Sequence, residues 1–186
     1  MCGFPAKNPI GYLIMDRIDR KILALYQEDT RRIAESIGAE VGLSAAAVQR
    51  RLKRLRADRV IAAEVALLDN KAVGVPITCI VTLSAAGAPS QLDRFKRQMR
   101  DRPQVQQCYH VTGSTDFILV VTAQSMEAYG EFARSWFETG QNVARYETHV
   151  VLDRVKVGLS VALPAGEAAA QPSRRKTQRA AGKARA

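Results

Sequence analysis

Basic side chains crowd one short segment in the first third of the chain, and their spacing matches a helix. Val48, Leu52 and Leu55 fall at positions i, i+4 and i+7, so they share one face that a core can bury. The remaining faces carry the polar and basic side chains of Gln49, Arg50, Arg51, Lys53 and Arg54. Guanidinium and ammonium groups grouped on a helix bind a surface that is dense in phosphate. The chemistry that this segment predicts is therefore recognition of a polyanion.

The residues in front of this helix predict a tight turn. Ser44 can cap the helix with its hydroxyl, and three alanines follow it. Small residues in a first turn let a helix approach another surface closely. Gly42 stands where a left-handed residue would end a preceding helix.

Two further helices are predicted upstream. Ile18, Ile22 and Leu25 predict the first over residues 16–28, with Asp16 or Asp19 near its N-terminus, where a negative charge is favourable. The second is predicted from a Thr30 cap to about Glu40. We expect Ile33 and Ile37 to point inward on that helix.

Three short helices with a glycine-containing turn between the last two form the helix-turn-helix pattern, which places its last helix in the major groove of DNA. The alternative is an ordinary three-helix bundle with a solvated basic face. The predicted contacts to DNA are Ser44, Ala45, Ala46, Gln49, Arg50, Arg51, Lys53 and Arg54. The apolar, partly alternating run 60–68 predicts a wing strand, a linker strand, or both.

Charge supports a polyanionic partner. The chain carries a net charge of +10 at neutral pH. Residues 44–59 hold six basic residues and one acidic residue, and the tail from Pro164 has the same counts, so each contributes +5. The tail is alanine-, arginine- and lysine-rich with few apolar side chains, which predicts disorder. It either adds nonspecific DNA affinity or is only a solvated end.

The second half of the chain changes to strand periodicity. Strands are predicted from Pro76 through Leu83, over 105–112, over 117–122 and over 146–155, with Ile77, Cys79, Val81 and Leu83 alternating in the first. Helices are predicted after Pro89, with Leu92, Phe95 and Met99 inward, and after Ser125, with Tyr129, Phe132 and Trp136 inward. The order βαββαβ is that of the ferredoxin-like fold. Because its helices cover one sheet face, a second copy is expected on the other face, near Ile80 and Thr82.

Several site types are not predicted. The three cysteines give no disulfide framework and no zinc spacing, and Cys79 and Cys108 are expected to be buried. His110 and His149 have no metal-binding partners in the sequence, and no catalytic constellation is present, so neither an enzyme nor a cofactor is expected. No apolar run approaches the roughly 20 residues that span a bilayer, and residues 1–14 do not form a signal peptide. The expected location is the cytoplasm.

Taken together, these segments resemble the Lrp/AsnC (leucine-responsive, feast/famine) transcriptional regulators over roughly Met15 to Val157. Four stretches carry the resemblance in the right order: D-R-I-D-R-K-I-L-A-L-Y-Q-E-D (16–29), V-G-L-S-A-A-A-V-Q-R-R-L-K-R-L (41–55), V-I-A-A-E-V-A-L-L-D (60–69) and C-Y-H-V-T-G-S-T-D-F-I-L (108–119).

The resemblance implies an α+β architecture in which a winged helix-turn-helix is joined by a linker strand to a ferredoxin-like domain. The domains are then a flexible extension at 1–14, the DNA-binding domain at 15–60, the hinge at 61–75, the effector-binding and oligomerisation domain at 76–158, and a disordered basic tail at 159–186. Because relatives begin near the first helix, residues 1–14 are interpreted as the product of a misplaced start codon.

The resemblance also implies a regulator of amino-acid metabolism or transport that binds a pseudo-palindromic duplex as a homodimer, tetramer or octamer. An amino-acid effector is expected between subunits at Val111, Thr112, Gly113, Ser114, Thr115 and Asp116. There Gly113 would expose backbone amides to a carboxylate and Asp116 would pair with an ammonium group. A plain hairpin turn is the alternative for these residues. For the whole chain, the alternative is a ferredoxin-like small-molecule-binding oligomer whose helical domain serves association instead of DNA binding.

Overall fold

The computed structural model describes residues 15–87, 89–139 and 143–164. The expected extension at 1–14 and the tail from 165 onward lie outside these residues. The described chain forms two compact units, one over Val65–Gly158 and one that combines the residues up to Glu64 with those from Leu159. Among the described helices, none has the length and apolar character that a membrane crossing needs.

Three helices form the unit that contains the residues up to Glu64, which we call the helical unit: α1 (Arg17–Glu28), α2 (Ala34–Val41) and α3 (Ala45–Ala57). Its core is small and consists of Ile22, Tyr26, Ile37, Val48 and Leu52. The predicted inward residues of α3, including Leu55, are all buried. The helix-turn-helix prediction is therefore confirmed at the level of its packing.

The turn between α2 and α3 has the geometry that the sequence predicted. Gly42 takes the left-handed conformation (φ 74°, ψ 39°), and the backbone N–H of Leu43 donates to the carbonyl of Gly38 at 2.9 Å. This pairing closes a Schellman motif. The hydroxyl of Ser44 accepts from the N–H of Ala47 and caps α3, as expected.

The start of α2 differs from the prediction. The helix begins at Ala34 after an Ile33 N-cap that makes no side-chain cap, and Ile33 is 64% exposed instead of inward. The cause is local, because the carboxylate of Asp29 accepts from the N–H and guanidinium of Arg31 and the Asp29 carbonyl accepts from the N–H of Arg32. This turn holds the residues around Thr30 outside the helix.

A buried carboxylate ties α1 to α3. Asp19 is 1% exposed, and its two oxygens accept from Arg51 Nη1 at 2.7 Å and Arg54 Nη2 at 2.5 Å. Arg51 Nη1 also donates to Asp16 at 2.6 Å. Asp16 and Asp19 cap each other's backbone in a capping box at the start of α1. We call Asp16, Asp19, Arg51 and Arg54 the Asp19 cluster.

The unit over Val65–Gly158, which we call the α/β unit, contains four strands and two helices. The strands are β1 (Ile77–Ala85), β2 (Val105–His110), β3 (Phe117–Ala123) and β4 (Val143–Val150), and the helices are α4 (Pro89–Arg100) and α5 (Met126–Ala133). The sheet is antiparallel with the order β2-β3-β1-β4, which is the ferredoxin-like arrangement. The helices cover one face, where Cys79, Val81, Leu83, Phe95 and Phe117 lie in the core.

Three details of this unit correct the sequence predictions. The strand β4 ends at Val150, which pairs with Cys79, and not near Val155, because β1 begins only two residues before Cys79 and offers no neighbour to residues 153–155. Leu152 is 98% exposed. Cys108 is exposed because it lies on the edge strand β2. Trp136, which was predicted to point inward on the second helix of this unit, is only half-buried and lies in a π-helical segment, Arg134–Glu138, that follows α5.

The expected linker strand has no strand partner in the described chain. Residues 62–69 are irregular there, and neither a wing hairpin nor a linker ladder is present among the described residues. A strand requires a neighbour with which its backbone can pair. Val65, Leu67 and Leu68 of this segment are exposed.

Gly38 tests the α2–α3 turn. A Cβ atom at this position would lie 2.4 Å from the carbonyl oxygen of Leu43, whereas a Cβ at Gly130 in α5 would meet only the end of the Arg134 side chain at 3.6 Å. We expect Gly38→Ala to lower the free energy of unfolding by about 1–3 kcal/mol through overpacking. The control Gly130→Ala should raise it by up to about 1 kcal/mol through helix propensity. Circular dichroism melts and amide exchange of α3 would measure both, and unchanged protection of α3 in Gly38→Ala would contradict the turn.

Acid should weaken the salt bridge between Asp16 and Arg51. Burial raises the pKa of the Asp16 carboxyl, but hydrogen bonds from the Asp19 N–H and the Arg51 guanidinium outweigh it and hold the pKa below its usual value of 3.8. A lowered native pKa gives stability that is present above pH 3.8 and is lost as the pH falls through the native value. Asp16→Asn keeps a capping oxygen and removes the charge. Its melting temperature should therefore lie below that of the parent protein at pH 7, and the gap should close below about pH 3.8.

The control for this experiment is Asp58→Asn, because Asp58 belongs to no salt bridge of the described residues. A gap between Asp16→Asn and the parent that stays constant from pH 7 to pH 3 would contradict the ionic role of Asp16.

Candidate nucleic-acid interface and effector turn

The outward face of α3 is defined by the face that it buries. Val48, Leu52 and Leu55 pack inward, and exposed residues occupy the opposite side: Ser44, Ala46, Gln49, Arg50 and Lys53. Ala46, Arg50 and Lys53 recur at i, i+4 and i+7 and therefore form one stripe along the helix. Ala45 is half-buried at the start of α3.

The basic residues of α3 divide into two groups. Arg51 and Arg54 donate to the buried carboxylate of Asp19, with 25% and 50% of their side chains exposed. Arg50 and Lys53 are exposed and take part in no salt bridge among the described residues. The sequence predicted all four as contacts to DNA and gave no sign that two of them also support the fold.

A second network neutralises Arg56 near the end of α3. Arg56 Nε donates to Glu64 at 2.8 Å and Nη2 donates to the hydroxyl of Tyr26 at 2.7 Å, while that hydroxyl donates to Glu64 at 3.0 Å. The hydrogen bond from Arg56 lowers the pKa of the Glu64 carboxyl. Burial, followed by the hydrogen bond to Glu64, raises the pKa of Tyr26. Sequence analysis missed this network because its members lie 8 to 38 residues apart.

A shallow groove runs beside α3. It is lined by Leu43, Ala47, Arg50, Arg51 and Arg54. Three guanidinium groups therefore border one concave surface whose other walls are a leucine and an alanine. The small side chain of Ala47 leaves space between the arginines, so an anionic group could approach them closely.

The predicted effector residues form one turn at the end of the β2–β3 hairpin. Gly113 has φ 119°, and Thr112, Gly113 and Ser114 are exposed. Val111, Thr115 and Asp116 are half-buried. The N–H of Val111 donates to the carbonyl of Asp116 at 2.9 Å and closes the turn.

This turn is bonded to the end of β1. The carboxylate of Asp116 accepts from the N–H of Ala85 at 2.8 Å, and the Asp116 N–H donates to the carbonyl of Leu83 at 3.0 Å. The hydroxyl of Thr115 donates to the same carbonyl at 2.7 Å. Asp116 thus has a structural partner that the sequence did not predict, and an ammonium group would share its carboxylate with Ala85.

An open cavity of about 390 Å³ lies at the opposite end of the sheet. Its walls include Gln104, Ala123, Gln124, Tyr129 and Phe132. None of the predicted effector residues lines it. Sequence patterns could not find this cavity, because it forms where the end of β3, the segment before β2 and α5 meet.

The comparisons with known proteins agree with this arrangement. An AsnC-type helix-turn-helix domain matches residues 15–56, and an Lrp/AsnC ligand-binding domain matches residues 78–161. An uncharacterized HTH-type transcriptional regulator, y4tD, from Sinorhizobium fredii is 44% identical over 148 residues, which are 79% of this chain and 88% of the relative.

Solved structures match both units. A transcriptional regulator from Neisseria meningitidis in complex with L-Met has a TM-score of 0.76 at 27% identity, covering 81% of this chain and 97% of the other. An AsnC-family regulator from Agrobacterium tumefaciens has a TM-score of 0.73 at 29% identity, covering 80% and 97%. With its helix-turn-helix, its antiparallel α/β unit and these relatives, the chain belongs to the Lrp/AsnC family of helix-turn-helix transcriptional regulators.

Proposed function

We propose that the outward stripe of α3 reads duplex DNA from the major groove. The observation that carries this proposal is the division of the basic residues, which leaves Arg50 and Lys53 exposed while Asp19 holds Arg51 and Arg54. Gln49 and Arg50 offer donors to base edges. Ser44, Ala45 and Ala46 form the first turn, where a close approach to the groove is needed.

Alanines restrict how this surface reads sequence. The methyl groups of Ala45 and Ala46 cannot donate or accept hydrogen bonds, and they suit contact with the methyl group of thymine. Much of the selectivity then comes from DNA shape and deformability.

The groove beside α3 is proposed to hold a backbone phosphate. Arg54 is half-exposed and uses Nη2 for Asp19, so the rest of its guanidinium can donate to a phosphate. Arg50 borders the same groove and adds a second cation. In this arrangement the salt bridge to Asp19 holds the Arg54 guanidinium in position and leaves its other N–H groups for a phosphate. Arg51, which is mostly covered, acts chiefly by holding α3 on α1.

The uncovered sheet face is proposed to bind a second copy of the chain. Ile80 and Tyr109 are 39% and 50% exposed on this face, and Ile118 and Val120 are half-buried beside them. A twofold dimer places two helix-turn-helix units on one duplex and matches a pseudo-palindromic site. We extend the proposal to the assembly of such dimers into a tetramer or octamer.

The effector is proposed to be an amino acid bound at residues 111–116. The exposed amides around Gly113 suit a carboxylate, and Asp116 suits an α-ammonium group. Support comes from the N. meningitidis relative, which was solved with L-Met. Genes of amino-acid uptake or metabolism are the corresponding proposed targets.

Substitution of Arg50 tests the proposal that the outward stripe of α3 contacts the bases of DNA. Duplexes selected from a random pool by the parent protein would serve as specific sites. We expect Arg50→Ala to weaken specific binding by about tenfold or more, as loss of a good base contact costs about 1–3 kcal/mol. The control Lys21→Ala removes the same charge from the exposed surface of α1. Equal affinities of Arg50→Ala and Lys21→Ala in anisotropy titrations would refute this placement of the face.

Asp116 tests the effector turn. Asp116→Asn keeps an oxygen for the N–H of Ala85 and removes the charge that an ammonium group needs. At a concentration one hundred times its Kd, a bound amino acid adds about 2.7 kcal/mol of stability. We expect at least one of the twenty amino acids to raise the melting temperature of the parent protein and to leave that of Asp116→Asn unchanged. An identical rise in both proteins would remove Asp116 from the site.

A further inference from the structure

The outward side of α4 in the α/β unit is basic. Phe95 and Met99 are buried against the sheet, and three exposed arginines lie on the remaining sides of the helix: Arg94, Arg97 and Arg100. Intervals of three residues place neighbouring arginines about 4.5 Å apart along the helix axis. We call these three residues the arginine stripe, which is about 9 Å long.

The outward side of α5 is acidic. Glu127 and Glu131 are exposed and lie one turn apart, which is about 6 Å along the axis. Arg134 follows them at the end of the helix and stands in the sequence between Glu131 and Glu138. Residues 126–138 hold three acidic residues and one basic residue, so their net charge is −2.

This separation of charge is a local feature of the α/β unit. Residues 65–158 hold ten basic and nine acidic residues, a net charge of only +1. Five of the ten basic residues fall within residues 93–102, where they face two acidic residues and give a net charge of +3. Opposite charges are therefore divided between two helices that cover the same face of the sheet.

The described part of the chain leaves these charges without partners. Among its salt bridges, α4 forms one, between Lys96 and Asp93, and α5 forms none. Lys96 neutralises Asp93, so this carboxylate does not offset the arginine stripe. Single exposed ion pairs contribute little, but complementary charged surfaces direct the association of proteins and fix its register.

We propose that the layer of α4 and α5 binds a second copy of the chain, with the arginine stripe of one copy against Glu127 and Glu131 of the other. Each copy offers both helices, so a twofold arrangement makes this contact twice. The uncovered sheet face lies on the other side of the unit and stays available. The helix layer then joins the proposed sheet-face dimers into the larger assembly, and in naming dimers as its parts the inference rests on that proposed function.

Duplex DNA is the other partner that an arginine stripe suits, because arginines bind phosphates. The two helices lie on one side of the sheet, so a duplex along α4 would bring its phosphates toward the carboxylates of α5. Like charges brought together in this way oppose binding. A second copy uses both sets of charges, and it is therefore the better match.

The salt dependence of the parent protein is the first test. The Debye length falls from about 10 Å at 0.1 M salt to about 3 Å at 1 M salt, so added salt screens exposed charges. We expect sedimentation at micromolar concentrations to show assemblies larger than dimers at the lower salt. Their dissociation constant should rise at least tenfold at the higher salt. A parent protein that stays dimeric at 0.1 M salt, or an assembly that salt does not weaken, would overturn the proposal.

An exchange of charges between the two helices is the second test. One variant combines Arg94→Glu with Arg97→Glu, another combines Glu127→Arg with Glu131→Arg, and a third carries all four changes. Each double reversal places like charges opposite one another and should weaken the assembly about tenfold or more. The fourfold variant restores opposite charges and should assemble within about threefold of the parent protein.

The control combines Lys21→Glu with Lys71→Glu, which makes the same change of charge at exposed positions outside both helices and should assemble like the parent protein. Circular dichroism melts check that every variant is folded. Glu131→Gln removes one charge without reversing it and covers the case in which the double reversal unfolds α5. We expect Glu131→Gln to weaken the assembly about twofold or more, and an unchanged constant would count against the contact.

Two further outcomes would overturn the proposal. One is a folded fourfold variant that does not regain the assembly. The other is a loss of duplex affinity in the arginine variant that the fourfold variant does not regain, with assembly unchanged in both, which would name DNA as the partner of α4. Monomers in place of dimers at 1 M salt would refute the proposed sheet-face dimer alone, and the exchange of charges would still decide the helix contact.

Discussion

The carboxylate of Asp19 is the constraint on which the helical unit depends. A buried charge loses its hydration, which costs several kcal/mol unless charged donors replace the water. Its two salt-bridge partners, Arg51 and Arg54, come from α3, more than 30 residues later in the chain. Together with the buried face of Val48, Leu52 and Leu55, this requirement sets the rotation of α3 about its own axis, because both guanidinium groups must reach the same carboxylate. Arg50 and Lys53 are directed outward as a consequence.

The two units are stabilised in different ways. The α/β unit buries a large apolar layer that includes Phe95, Phe117 and Phe137. The helical unit has a smaller core, in which Leu23 and Leu55 are buried beside the cluster of Ile22, Tyr26, Ile37, Val48 and Leu52. Small domains bury too little surface to be stable by this means alone. The Asp19 cluster and the Arg56–Tyr26–Glu64 network supply the additional links between α1, α3 and the chain that follows. Ion pairs therefore take a larger part in the unit that meets DNA.

Local patterns in the sequence predicted what local physics determines. Periodicity identified Val48, Leu52 and Leu55, and cap chemistry identified Gly42 and Ser44, because these features depend on residues a few positions apart. The predictions that were wrong concern the ends of elements, which are set by a competing turn or by partners that are distant in the sequence. The turn at Asp29 moves the start of α2 from the expected Thr30 to Ala34, and β4 stops within two residues of the start of its neighbour β1.

The same limit applies to the candidate sites. Charge counting identified α3 as the basic helix, but it could not divide Arg50 from Arg51, since the anions that divide them lie in α1. A turn at Gly113–Asp116 was predictable from a glycine and an aspartate, whereas the bond from Asp116 to Ala85 joins residues 31 positions apart.

The bond from Asp116 to Ala85 connects the proposed effector turn to the pairing of β1 with β4. The pairing of β1 with β4 shifts its register between Ser84 and Ala85, and the Ala85 amide at this irregularity is satisfied by Asp116. In the proposed effector site, a ligand that drew the carboxylate away would leave the Ala85 amide unpaired, at the point where the pairing of β1 with β4 is already irregular. Binding at residues 111–116 would then act on the pairing of two strands that lie outside the proposed site.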